Sequence, residues 1–225
     1  MVSVDGVTTG PFDEAAMKAQ LAIGTISVYD LCWHEGMPKW LPIGAVLNSE
    51  PFYFYISVPT LILLSILSFG FYEGYWMYRN WRYLQERDNL PIRPFWRVFF
   101  AFFFCHDLFR RIHEDPLGRT VQAPSFPAGT LATAWVVLTI ITQLISRIPG
   151  NTATVLSAII PSFLCLVPVQ QYINSVNERV EPGRPYYHWQ KSAGHWICLG
   201  VGALLWVATL FSILLGDEAL IQMLD

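Results

Sequence analysis

The sequence predicts a mainly α-helical membrane protein, a bundle of four spanning helices (five in an alternative count) behind a small N-terminal α+β domain. Three observations carry this. The 225 residues are 53% hydrophobic and only 14% charged, where soluble domains carry about 25% charged residues. The deficit is uneven: residues 1–50 have a soluble composition, and apolar runs dominate the rest. Aromatic residues make up 15%, and many flank those runs, as Trp and Tyr do at a membrane–water interface. A net charge of −3 supplies no basic field for nucleic acid, so no nucleic-acid partner is expected.

Residues 1–48 contain the signals of a compact soluble unit. Gly10-Pro11 is a turn, and Asp13 is a good N-cap for a helix over Glu14 to Ile23. Phe12 and Met17 have the spacing of a hydrophobic staple, and Gly24 suits the position just past the helix end. Leu31-Cys32-Trp33 is a short strand candidate, after which Trp40 can return to cover the core.

Gly10-Pro11-Phe12, Gly24-Thr25-Ile26, Cys32-Trp33 and Gly36-Met37-Pro38-Lys39-Trp40-Leu41-Pro42 fall in an order that resembles the bacterial GYF-like domain, the GYF-domain-2 family. Eukaryotic GYF domains bind proline-rich peptides on a shelf of aromatic side chains. The resemblance therefore implies a protein or peptide partner through residues 1–48, with Phe12, Met17, Trp33 and Trp40 as candidate binding residues. Three departures bear on a preference for proline. Gln20 stands where the peptide binders have Trp, Thr25 and Ile26 stand for Tyr and Phe, and only Val2-Ser3-Val4 can replace the opening strand.

A helix needs about 20 apolar residues to cross the hydrocarbon. Phe52 to Tyr72 qualifies, and with Tyr75, Trp76 and Tyr78 it predicts a first transmembrane helix over 52–78. Residues 79–119 form a basic loop holding an interfacial or half-inserted helix over 95–112. Its Phe-rich part, Phe95 to Phe109, is interrupted by Arg97, His106 and Asp107 and is about 22 Å long as a helix. Residues 128–216 hold three more spans. Their apolar stretches are Thr120–Ser146, Thr152–Ile173 (kinked at Pro161 and Pro168) and Ser192–Gly216, with a turn at Pro149-Gly150-Asn151. An acidic tail, 217–225, follows.

No secretory signal or lipidation motif is evident, so the first span is expected to direct the chain to a bacterial inner membrane. With four spans, eleven of the fourteen Lys and Arg lie in loops 79–127 and 174–191 on one side. The positive-inside rule makes that side cytoplasmic and puts both termini outside. Counting 95–109 as a fifth span would put the N-terminal domain in the cytoplasm instead.

Candidate functional residues are few. Glu73 and His195 are intramembrane polar candidates, with an ion pair to Arg79 or a snorkelling position near the interface as the simpler expectation for the former. Arg79, Arg82, Arg87, Arg93 and Arg97, interleaved with Trp81, Tyr83, Phe95 and Trp96, have the pattern of a segment resting on anionic lipid headgroups. His106, Arg110 and His113 share a helix face, but no specific metal motif is present; neither a metal nor another cofactor is expected. Cys32, Cys105, Cys165 and Cys198 form no CxxC pair. With no catalytic motif, the expected function is non-enzymatic: a membrane-anchored interaction protein with lipid and a protein as partners. The alternative is a small transporter or channel component, favoured by a polar cavity lined by Glu73, Gln143 or Gln170. A membrane-embedded enzyme ranks third.

Overall fold

A computed structural model describes residues 1–35, 37, 40–47, 52–148, 162–180, 186 and 192–215. The expected turn at 149–151, the kink at Pro161 and the acidic tail lie outside them. The chain is mainly helical, with a small N-terminal strand region.

In the N-terminal unit, β1 (Val2–Val4), β2 (Val7–Thr9), β3 (Leu31–Cys32) and β4 (Leu41–Pro42) form an antiparallel sheet of order β2-β1-β3-β4. β1, the stand-in for the missing opening strand, is therefore central, with Val2 paired to both Thr9 and Cys32. Helix α1 (Glu14–Ala22) starts where expected: the Asp13 carboxylate accepts from the Ala16 amide at 2.7 Å. It ends in a left-handed cap at Gly24, φ +74°, with the Thr25 amide donating to the Gln20 carbonyl. Val2, Ile26, Cys32 and Ile43 form the core, and Phe12, Met17 and Leu21 pack on it. Short α2 (Ile43–Leu47) completes the unit.

The expected single helix over 52–78 does not form. Phe52 to Ile56 is a non-helical segment whose residues are all buried. Helix α3 (Val58–Leu67) follows, capped by Ser57. The chain then reverses at Phe69 and Gly70, both left-handed (φ +52° and +81°), into α4 (Phe71–Asp88). Apolar content alone cannot distinguish a long helix from this hairpin, because the turn leaves the composition unchanged.

Burying non-helical backbone demands partners for each peptide group. Amide side chains provide them for four of these groups. Asn177 Oδ1 accepts from the Phe52 amide and Asn80 Oδ1 from the Phe54 amide. Gln170 Nε2 donates to the carbonyls of Phe54 and Ile56, and Asn174 Nδ2 also donates to Ile56.

The expected helix over 95–112 is divided into α5 (Pro94–Phe99) and α6 (Ala101–Glu114) at Phe100. On α6, Cys105, Leu108, Phe109 and Ile112 face the core, while Phe95, Trp96, Phe99 and Phe103 are exposed. Short α7 (Pro116–Thr120) leads to α8 (Ala128–Ile145). A 3₁₀ turn at Ser162–Cys165 opens α9 (Leu166–Val180). Of the expected third span, only 162–173 is described. There α9 is a polar-faced core helix, with buried Gln170 and Asn177 beside Val169 and Val176. Helix α10 (Ala193–Leu215) is continuous. Among the described residues, α8 and α10 are the helices long and apolar enough to cross a membrane, and both leave most of their surface uncovered.

α10 packs against the α3–α4 turn. A Cβ at Gly202 would lie 2.1 Å from the Leu67 carbonyl oxygen, so only glycine permits the approach. The Trp206 ring sits 4.6 Å from that of Phe69. Gly202 lies roughly 14 Å along α10, so the hairpin reaches about 40% of that helix's length.

Candidate functional site

The strand order gathers three of the four peptide-binding candidates at one end of the N-terminal sheet. Gly10, φ +116°, brings Phe12 beside the start of β1, where a Cβ on Gly10 would be 3.4 Å from Met1 Cα. Met1 pairs with Trp33 through both backbone groups, the amide of Trp33 donating to the Met1 carbonyl at 3.0 Å and the amino terminus donating to the Trp33 carbonyl at 3.1 Å. Trp33 and Trp40 lie on neighbouring strand ends with ring centroids 6.5 Å apart, and the Trp33 indole donates to the Met37 carbonyl at 2.9 Å. Phe12, Met1, Trp33 and Trp40 thus follow one another across the sheet end, Met1 and Trp40 exposed and the other two half-buried. Met17 packs instead on the core under α1. Gly36, Pro38 and Lys39 of the GYF-like run lie outside the described residues.

Trp40 also lines a cleft of about 260 Å³ between the two parts of the chain, with Leu31, Leu41 and Pro42 on one wall and Val121, Gln122 and Arg179 on the other. The sequence could not identify the far wall, because its residues are distant in the chain and carry no motif.

The five arginines expected to rest on headgroups do not form one surface. Arg93 is exposed and Arg82 pairs with Glu86 on the helix surface. Arg79 lies over the rings of Phe54 and Tyr83 and donates to the hydroxyls of Tyr75 and Tyr83. Arg97 pairs with Asp107 at 2.7 Å and stacks over Trp81 at 4.2 Å. Arg87 is a correction: its side chain is 7% exposed and paired with Asp88 at 2.7 Å and Asp115 at 2.8 Å. The inward face of α4 through Trp76, Asn80 and Leu84 continues to Arg87 at helical spacing. Its guanidinium also lies over the rings of Tyr29 and Tyr53. Burial pushes the Tyr29 phenol up, so it remains a neutral donor to Asp88 at 2.8 Å, joining the N-terminal unit to the helices.

Glu73 and His195 are both buried, in different places. His195 Nε2 meets the Tyr72 hydroxyl at 3.0 Å and its ring packs on Tyr75. The expected Glu73–Arg79 pair is not what forms. Six residues along a helix turn the side chain about 240°, to another face. Glu73 instead accepts from the Trp135 indole at 2.5 Å and from Ser162 Oγ at 2.7 Å. Trp135 and Ser162 come from distant elements, so sequence spacing gave no signal for either. On α6, His106 meets Thr133 Oγ1 at 3.1 Å, and among the described residues no His, Cys, Asp and Glu cluster has metal-binding form.

A protein-family model described as GYF domain 2 matches residues 1–47. The N-terminal unit is thus GYF-like in sequence. No curated protein and no solved structure matches the chain.

Proposed function

We propose that the protein is a non-enzymatic interaction protein anchored in a bacterial inner membrane, whose GYF-like domain receives an extended peptide of a partner protein. The observation that carries this reading is the row Phe12–Met1–Trp33–Trp40, set beside an open cleft in the unit that matches GYF domain 2. Aromatic shelves suit extended, proline-bearing segments, whose ordering cost on binding is low.

The helices α8 and α10 are the anchor. The α3–α4 hairpin returns the chain to the side on which it began. Arg179, near the end of α9, donates to the Val121 carbonyl at 2.9 Å, close to where α8 departs. In this arrangement every described Lys and Arg except Arg147 lies on the side of the N-terminal domain. The positive-inside rule then makes that side cytoplasmic. Arg82 and Arg93, with the exposed aromatics of α5 and α6, lie at the cytoplasmic lipid surface.

The test is fluorescence anisotropy of labelled short peptides, proline-rich and proline-free, with the full chain in detergent. At least one peptide class is expected to bind, and Trp33→Ala and Trp40→Ala should each weaken binding about tenfold, as loss of a central aromatic contact does. No binding by either class, or binding indifferent to both substitutions, refutes the reading. A second reading, a small transporter component, is favoured by a polar cavity lined by Glu73 and Gln143. It requires Glu73-dependent solute flux into proteoliposomes; the adaptor reading requires none. Gln170, the other residue expected at such a cavity, is committed to the buried amide network.

A further inference from the structure

The cavity beside the α3–α4 turn has a volume of about 240 Å³ and lies among α4, α8 and the Ser162–Cys165 turn. Its buried polar lining is weighted towards acceptors, with the exposed Gln143 amide, which both donates and accepts, at the edge. Glu73, 5% exposed, offers two carboxylate oxygens and receives one neutral donor on each. A carboxylate has about four acceptor positions, so two are left. Thr139 and Thr142 spend their hydroxyl protons on the carbonyls of Trp135 and Leu138, leaving lone pairs at the cavity. Ser162 spends its proton on Glu73. Ser65 Oγ, in a residue 1% exposed, lines the same space and has no hydrogen-bond partner. Phe69, Trp135 and Phe163 supply aromatic surface.

An acceptor-rich, aromatic-walled cavity around a carboxylate with no cationic partner among the described residues is complementary to a cation that only donates. An ammonium group has three donors, no acceptor and one positive charge. Aromatic faces attract it further. Water would satisfy the hydroxyls but would leave the carboxylate charge uncompensated. That charge is costly at the depth this turn reaches along α10.

We propose that this cavity binds the ammonium group of a primary amine, with Glu73 as counter-ion and Ser65 Oγ as a further acceptor. The source is a small soluble amine or an amino headgroup of a lipid, and the inference rests on the membrane placement proposed above. It assigns a ligand to the helical part, separate from the aromatic row of the N-terminal domain.

The experiment measures thermal unfolding of the full chain in nanodiscs, where co-purification with the disc reports membrane insertion independently of ligand binding. In phosphatidylglycerol discs, ethylamine hydrochloride is titrated against sodium chloride at equal ionic strength. In a second arm, phosphatidylethanolamine discs are compared with phosphatidylglycerol discs. A rise in Tm of several degrees is expected in at least one arm. A response to ethylamine identifies a soluble amine, and a response to the lipid alone identifies a headgroup. Glu73→Gln should abolish the rise. Ser65→Ala should weaken apparent affinity about tenfold, the effect of losing one hydrogen bond to a charged group, and it carries the test if Glu73→Gln does not fold. No rise in either arm, an equal rise with sodium, or a rise undiminished in these variants overturns the proposal.

Discussion

At Gln170, one fully buried side chain satisfies two carbonyls and an indole. It donates to Phe54 and Ile56 and accepts from Trp76 Nε1 at 2.6 Å. Replacing it by Leu keeps the volume and strands the Phe54 carbonyl and the Trp76 N–H. Each stranded group costs about 1–3 kcal/mol, so Gln170→Leu is expected to destabilise by roughly 3 kcal/mol in denaturant unfolding. Asp107 gives a pH dependence. Burial pushes its carboxyl up, but hydrogen bonds from Arg111, Arg97 and Arg110 prevail and hold it below the usual range. The unfolded chain therefore takes up this proton first as pH falls. The stability difference between wild type and Asp107→Asn should be full at neutral pH, begin to shrink near pH ~4 and vanish below the depressed folded value. A difference that grows on acidification would contradict this. Neither network was legible in the sequence, because a polar residue within an apolar run does not reveal which distant backbone group it serves.

At the scale of elements, helices with clean signals were legible. Asp13 and Gly24 bracket α1, α10 is continuous through its apolar stretch, and α8 covers 128–145 of the expected 120–146. The segment 52–78 was not, because its outcome depends on one turn and on α10 closing over it. Two glycines of α10 separate packing from propensity. A Cβ at Gly202 meets backbone of the α3–α4 turn at 2.1 Å, whereas at Gly200 nothing lies within 4 Å. Gly202→Ala is expected to destabilise by about 2 kcal/mol through overpacking. Gly200→Ala should be neutral or stabilising by up to about 1 kcal/mol, from helix propensity. Thermal unfolding of the two variants in one detergent checks this; equal behaviour would mean that α10 does not clamp the turn.

At the scale of the molecule, the hairpin determines sidedness in the membrane placement proposed above. A straight span over 52–78 would put the N-terminal domain opposite the basic loop, whereas a hairpin keeps them together. Single cysteines at Thr8→Cys and Ser146→Cys, with the native cysteines replaced by Ser, distinguish the two. An impermeant thiol reagent outside intact cells should label Ser146→Cys and reach Thr8→Cys only after the cells are opened. The reverse pattern would refute the proposed orientation. The Arg87–Asp88–Asp115 cluster with Tyr29 ties the N-terminal unit to the helices.

The sequence by itself determined what depends on local chemistry: the GYF-like unit, its capped helix, the aromatic residues at the end of its sheet and the two long apolar helices. Caps, turns and apolar runs act within a few residues, so their signals survive without a fold. Only the tertiary structure decided that Phe52–Ile56 is buried and non-helical, that Arg87 is interior, and that Glu73 shares a cavity with Ser65, Trp135 and Ser162. Those outcomes depend on groups 60 or more positions away in sequence for several of the decisive hydrogen bonds. They form only when the α3–α4 turn places α4 between α8, α9 and α10.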